Sequence, residues 1–489
     1  MKITAGKQNV GMNLTEGPVF QSLVLFAIPI ILTNLIQQLY GMVDLMVIGQ
    51  FVGSTGTVGV STGGEMSDMV TPVATAFAMA GQTFIAQLVG AKKDQKIKDA
   101  IGTFLTFMLI LSILLAFLVI FFCRPILSLL NCPTEAFGQA ETYLIITAVG
   151  FPFIFGYNAV CGILRGMGES KRPLMFVSVA AIVNIVLDLL LVVVFDMQAA
   201  GTAIATAFSQ LGSFLAAFIY MYKVRDKVGF ELKPGYFTIK FDILRVILRL
   251  GIPSAIRSLL VRFSLLWVNS NINAYGLVVS ATNSVGNKIQ KFMEVFMQGV
   301  DTASAAMVGQ NLGAEKTERA GKVTWSTLAM TLVCAVFASF LCLKIPKEIY
   351  GIFTTDEAVK ELGVLYLQIM VIHFFASSFV GAFQAMVNGS GFVELGFIIG
   401  ILDGIICKIG LSIIFVYIFH MGYIGYFWNC VFPNPAWIGM LYLFYKWKVE
   451  SEKTAHRKIE GYRSYFLSIN GNSREHKLKD IECEILELI

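Results

Sequence analysis

The chain has 489 residues, of which 56% are hydrophobic and only 14% charged, against about 25% charged in an ordinary soluble domain. That leaves too little polar surface for a water-soluble protein of this length. The net charge of +5 falls in loops between apolar runs, so it reports orientation rather than a nucleic-acid surface.

In chain order, residues 1–18 are polar and precede the first apolar run, with no cleavable signal before it. Twelve apolar runs follow, each near or above the roughly 20 residues a helix needs to cross a bilayer: 19–42, 54–84, 99–122, 139–164, 172–195, 200–222, 252–274, 278–309, 322–343, 361–386, 394–418 and 422–445. They are continuously apolar, whereas barrel strands would alternate every second residue. The fold class is therefore all-α integral membrane, with about twelve transmembrane helices. Lys92, Lys93, Lys96 and Lys98 follow span 2, and Arg165, Lys171 and Arg172 follow span 4. Lys316, Arg319 and Lys322 follow span 8. By the positive-inside rule both termini are cytoplasmic; the expected location is a plasma membrane of the bacterial inner-membrane kind. Residues 223–250 form a basic cytoplasmic linker between spans 1–6 (19–222) and spans 7–12 (251–445), and 446–489 is a polar tail. Pro433 and Pro435 should break span 12. Eight scattered cysteines form no CxxC pair; Cys123 and Cys132 could approach each other near one face.

The two groups of six spans repeat each other. Gly90-Ala91-Lys92-Lys93 after span 2 answers Gly313-Ala314-Glu315-Lys316 after span 8, and Ala86-Gln87-Leu88-Val89 answers Gly309-Gln310-Asn311-Leu312. Ala27-Ile28-Pro29 answers Gly251-Ile252-Pro253, and Arg165-Gly166-Met167-Gly168 answers Val387-Asn388-Gly389-Ser390-Gly391. Six is an even number, so the repeats run parallel, two lobes related by a pseudo-twofold axis along the membrane normal. Such a bundle places a cavity between its halves, and rocking of the halves gives alternating access.

Acids within spans are functional candidates by default. Asp44 ends span 1, and Asp188 lies in span 5 among Ile185, Val186, Leu187, Leu189 and Leu190. Asn184, four residues earlier, shares the helical face of Asp188, and Thr206 lies in span 6. Two carboxylates, an amide and a hydroxyl suit a hard monovalent cation; alternatively, a buried acid pair holds a proton near neutral pH. The plainer readings are that Asp44 faces external water at a helix end and that Thr206 bonds its own backbone. The four histidines are far apart and no Gly-x-x-x-x-Gly-Lys-Ser/Thr run occurs, so neither an intramembrane enzyme nor direct use of ATP is indicated.

Over roughly residues 14–445 the sequence resembles the multidrug and toxic compound extrusion (MATE) family. The likeness rests on six plus six spans, Pro29 in span 1, the Val43-Asp44 pair and the Gly309-Gln310-Asn311-Leu312-Gly313-Ala314 end of span 8. Within the family it is most similar to the DNA-damage-inducible protein F type. That branch implies a cation or proton site at Asp44, Asn184, Asp188 and Thr206, and a substrate cavity in the N-terminal lobe lined by Gln37, Tyr40, Tyr143 and Asn158. It implies bending of span 1 near Pro29. The NorM-like branch carries an acid early in span 7, where this chain reads Ser258-Leu259-Leu260-Val261-Arg262. The resemblance implies a monomeric exporter of small organic compounds, coupled to H⁺ or Na⁺ and using no other cofactor. A flippase for lipid-linked oligosaccharides is the alternative.

Two expectations concern charge. Aligning spans 2 and 8 on Gly90 and Gly313 sets Glu65 on Lys288 and Asp68 on Lys291. If both spans border the cleft, Glu65–Lys288 and Asp68–Lys291, or the crossed pairs, form an interlobe gate that closes the extracellular side when the transporter faces inward; the local alternative pairs Lys291 with Glu294 and leaves Glu65 and Asp68 touching external water. The C-terminal half also carries Arg257, Arg262 and Lys408. Either these basic residues pair with Glu294, Asp301 and Asp403, or they favour an amphiphilic or anionic substrate.

Overall fold

In a computed structural model, residues 11–130, 132–225, 234–391, 398 and 400–431 are described. All regular structure among them is helical. Among the described residues seven helices are long and apolar enough to cross a membrane, and a bent pair makes an eighth span. Spans 7 (Phe241–Asn273) and 8 (Leu277–Gly313) are as long as the others but carry charges along their length. Span 12 is described only as Tyr423–Val431; Pro433, Pro435 and the tail lie outside the described residues.

Several boundaries differ from the hydropathy reading, each for a local reason. Span 1 runs Val19–Phe51, past Asp44 and unbroken through Pro29. A single acid ends an apolar run without ending the backbone ladder, so Asp44 stands inside a helix and not at its end. Span 4 is two helices, Thr134–Val149 and Phe151–Gly166, bent by 43°. The bend falls at Gly150 followed by Pro152, a combination that interrupts the helical ladder. Span 5 is α-helical over Lys171–Asp188 and continues as a π-helix over Leu189–Val194. Its widened turn begins just after Asp188, as π-segments often do beside polar sites. Span 6 is Gln198–Lys223, span 9 is Thr317–Lys344 and span 10 is Glu357–Ser390. Span 11 is largely π-helical over Leu402–Leu411 and Ile414–Ile418.

Spans 3 (Asp94–Phe121) and 9 occupy corresponding places and turn apolar ridges outward. Ile113, Phe117 and Phe121 on one, and Val333, Phe337 and Phe340 on the other, are each more than half exposed. Such ridges would be a liability in water and are the ordinary lipid-facing surface of a membrane helix.

The halves meet along spans 1, 2, 7 and 8. Span 1 packs on span 8, span 7 on span 2, and spans 2 and 8 on each other. At their basic ends spans 2 and 8 are in glycine contact. A Cβ at Gly90 would stand 2.0 Å from the Gln310 carbonyl oxygen, and one at Gly313 would stand 2.1 Å from that of Gln87. Gln87 and Gln310 correspond in the repeat, as do Gly90 and Gly313. Each glutamine also crosses to the opposite half: Gln87 Nε2 donates to the Gly389 carbonyl at 3.0 Å, and Gln310 Nε2 to the Gly166 carbonyl at 2.9 Å. Those carbonyls end spans 10 and 4, where helices leave acceptors without intrahelical partners. The seam thus satisfies two helix ends with the same bond, made twice about the axis.

Candidate ion and substrate site

Asp44 and Asp188 come together in the N-terminal half. The helix of span 1 carries Asp44 alongside span 5, and the two carboxylates lie within hydrogen-bonding reach of each other. Asn184 is one turn before Asp188; both side chains are buried. Thr206, on span 6, is partly buried. Among the described residues fourteen buried side-chain nitrogen or oxygen atoms have no hydrogen-bond partner, and six belong to Asp44, Asn184, Asp188 and Thr206. Thr202, one turn before Thr206, adds another. Buried polar atoms left unpaired cost on the order of 1–3 kcal/mol each, and Asp44, Asp188 and the Asn184 one turn away account for five of them. Two adjacent carboxylates repel each other unless a proton or a cation stands between them.

The remaining cavity candidates divide. Tyr40 accepts from Gln210 Nε2 at 3.3 Å, which brings span 6 to the site through a residue the sequence reading had passed over. Tyr143 packs against the buried cluster of Val47, Ile48, Val60, Val192 and Ala199, beside the acids, and its ring fills the space next to Gly63. Gln37 is partly buried on span 1. Asn158 is also partly buried, and its Nδ2 donates to the Ile154 carbonyl of its own helix at 2.8 Å.

The gate pairs expected of an inward-facing molecule are not the pairs found here, where spans 2 and 8 are in contact at their basic ends. Neither Glu65–Lys288 nor Asp68–Lys291 is formed, nor are the crossed pairs; Lys288 and Lys291 are exposed. Asp68 instead pairs with Arg262 of span 7 at 3.0 Å, and Glu65 lies beside the same guanidinium. Span 7, which packs directly on span 2, supplies the partner that the repeat alignment assigned to span 8. The alternative Lys291–Glu294 pair is not formed either. Glu294 accepts from Gln290 at 2.7 Å and lies 3.0 Å from His373 Nε2, which Ser377 also meets at 3.0 Å. Asp301 lies near Arg257; the side chain of Asp403 is outside the described set. Cys123 and Cys132 are both free.

The C-terminal half does not repeat the acid pair. Span 5 ends in Phe195-Asp196-Met197 and span 11 in Phe419-His420-Met421. Both middle residues have positive φ, 49° and 52°, and both methionine N–H groups bond the carbonyl six residues back. Anchored on these matching turns, Asn184 corresponds to Lys408 and Asp188 to Ser412. Both are buried, and the Ser412 hydroxyl donates to the Lys408 carbonyl at 2.7 Å. An amine thus occupies the place that an amide has in the first half.

The MatE family model matches this chain twice, over residues 29–190 and 253–418. The chain is 26% identical over 395 residues to the probable multidrug resistance protein YoeA of Bacillus subtilis, covering 80% of this chain and 85% of that protein. It is 22% identical over 414 residues to the multidrug export protein MepA of Staphylococcus aureus, covering 85% of this chain and 90% of the other. Among solved structures, an outward-facing multidrug resistance MATE family transporter superposes with a TM-score of 0.86 at 21% identity, covering 91% of this chain and 99% of that one. A MATE in complex with MaD3S gives 0.84 at 21% identity, over 91% and 100%. With its family model matched in both halves and its fold shared with these transporters, this multi-pass membrane protein belongs to the MATE family of multidrug efflux transporters.

Proposed function

We propose that this protein is a secondary active exporter of amphiphilic organic compounds, coupled by antiport to H⁺ or Na⁺ and working by alternating access. The carrying observation is the approach of Asp44 to Asp188, with the unpartnered Asn184 one turn before Asp188 and an unpartnered Thr206 hydroxyl on span 6. One proton or one small cation between the acids removes their repulsion and completes the oxygen set. Asp44 is on the helix that packs across the seam on span 8. Occupancy of the site therefore bears on a helix shared by both halves, and Pro29 in the same helix offers a point where the backbone ladder can give. Tyr40 and Tyr143, beside Asp44, and Gln37 two turns earlier on span 1, would meet cargo in this reading. The names of the bacterial relatives support drug-like cargo and the plasma membrane; the basic loops support cytoplasmic termini.

The test is transport in proteoliposomes with ethidium as probe, under an imposed pH or Na⁺ gradient. Efflux driven by one gradient and abolished in Asp188→Asn, with the variant still folded, supports the reading. Gradient-driven efflux undiminished in Asp188→Asn refutes it.

A further inference from the structure

Both repeats begin with a segment that crosses to the other half before its first span starts. Residues 11–17 precede span 1 and so belong to the N-terminal half. Leu14 is fully buried. Its N–H donates to Gln310 Oε1 at 3.3 Å, and its carbonyl accepts from Asn311 Nδ2 at 3.0 Å. Lys316 Nζ donates to the Thr15 carbonyl at 3.0 Å, and Arg319 donates to the Glu16 and Gly17 carbonyls at 2.7 Å each. All these partners lie at the end of span 8 or the start of span 9, in the C-terminal half. The arm is also shaped in advance. The Asn13 side chain accepts from the Thr15 N–H and hydroxyl at 3.0 and 2.8 Å, an Asx turn, and Met12 N–H bonds the Gly168 carbonyl at 2.9 Å. The linker copies the arrangement in reverse. Residues 234–240 precede span 7 yet lie on span 3. Lys240 Nζ reaches Asp99 at 2.6 Å, and Thr103 Oγ1 bonds the Thr238 carbonyl and Lys240 N–H at 3.3 and 3.2 Å.

We infer that these two arms, and residues 11–17 above all, latch the cytoplasmic side of the transporter shut and must let go for it to face inward. The geometry leaves little choice. The N-terminal arm is tied covalently to span 1 and held noncovalently by the other half. Gln310 holds it with Oε1 while sealing the end of span 4 with Nε2. Parting the halves at this end pulls both groups of the same amide at once. The chain between Leu14 and span 1 reaches at most about 3.5 Å per residue, so modest parting could be absorbed but a wide opening breaks the buried Leu14 contacts. Arg319, which makes two of the bonds through a single guanidinium, is the residue on which the latch most depends.

The inference rests on the alternating-access part of the proposed function but not on the ion or the cargo, and its test reads opening directly. In full-length protein lacking its native cysteines, Ala86→Cys places a thiol at a fully buried position of span 2, beside the seal. Its labelling by a membrane-impermeant maleimide, added from the cytoplasmic side, reports inward opening with no substrate present. Arg319→Gln should speed that labelling on the order of tenfold, since losing bonds to a charged donor shifts an equilibrium by that amount. Tethering Thr15→Cys to Lys316→Cys with a short bis-maleimide should slow it below the parent rate. Labelling unchanged by Arg319→Gln, or unaffected in protein shown to be tethered, overturns the latch. Either result leaves gradient-driven efflux to be judged on its own.

Discussion

Gly313→Ala is a small change with a large expected effect. The new methyl carbon would stand 2.1 Å from the Gln87 carbonyl oxygen and 2.8 Å from its carbonyl and α-carbons. These are backbone atoms of span 2, so no side chain can swing away. Ordinary van der Waals contact begins near 3.4 Å, and restoring it requires spans 2 and 8 to part by roughly 1 Å at the seam. Overpacking of this kind costs about 1–3 kcal/mol. The separation also lengthens the bonds from Gln87 to Gly389 and from Gln310 to Gly166, each worth about 1 kcal/mol. Because the strain exists only while the seam is closed, it shifts the conformational equilibrium toward opening by roughly 5- to 150-fold. Spin labels at Gln95 and Glu318, exposed near the starts of spans 3 and 9, report the spacing of the two halves there. The longer-distance population should rise in Gly313→Ala, and Gly90→Ala should do the same through the corresponding contact with Gln310. A distance distribution indistinguishable from the parent in both variants would refute the account of the seam.

Other outcomes follow from the same contacts. Removing one carboxylate from a paired cation site forfeits an interaction of about 4 kcal/mol at an effective dielectric near 20. Asp44→Asn should therefore weaken ²²Na⁺ binding, or abolish proton release on addition of substrate, while Asn158→Ala leaves the ion response close to the parent's. Asn184→Lys supplies the amine found at the corresponding Lys408 and should replace the mobile ion with a fixed one; ion-dependent efflux persisting in that variant would contradict the assignment of the site. Asp68→Arg should slow transport a few-fold by setting two guanidinium groups against each other across the seam, and adding Arg262→Asp should restore the rate. The pair is partly exposed, so its removal should change melting temperature little.

The spans, their grouping in sixes and the repeat were legible because long apolar runs and repeated glycine motifs are local features of the sequence. What escaped was set by neighbours. Asp44 interrupts an apolar run, so span 1 was cut short, although the helix continues through Phe51. The two-part span 4 could have been read from Gly150 and Pro152, residues whose meaning is purely local. The π-segment after Asp188 had no such signal. Among the site candidates, Asn184 and Asp188 were singled out by spacing and by the costliness of polar groups in lipid, Asp44 as an acid near the end of an apolar run, and Thr206 through the family resemblance. Gln210 was missed, since a glutamine near a helix middle carries no periodic signature. The gate pairs belong to an inward-facing molecule; here, with spans 2 and 8 closed on each other at their basic ends, Asp68 meets Arg262 of span 7. Positions equivalent in a twofold repeat face each other only close to the axis, and spans 2 and 8 touch at Gly90 and Gly313.

That distinction separates two kinds of work in the molecule. Near the axis the repeat is kept atom for atom: Gln87 and Gln310 make the same bond, Gly90 and Gly313 the same contact, and the two arms cross in opposite senses. A seal that must close two similar halves against each other is served by symmetry, because each favourable contact is made twice. Away from the axis the halves diverge. The N-terminal half sets Asp188 and Asn184 beside Asp44, whereas the C-terminal half has Ser412 and Lys408 at the matching places and groups Glu294 with His373 and Gln290. If both halves held the same exchangeable ion, each cycle would carry two couplings through one seam. A buried lysine side chain in place of Asn184 leaves the second half without the oxygen-rich grouping of the first, so under the proposed antiport the exchangeable ion belongs to the half that holds the acid pair, and the other half answers through the shared seam.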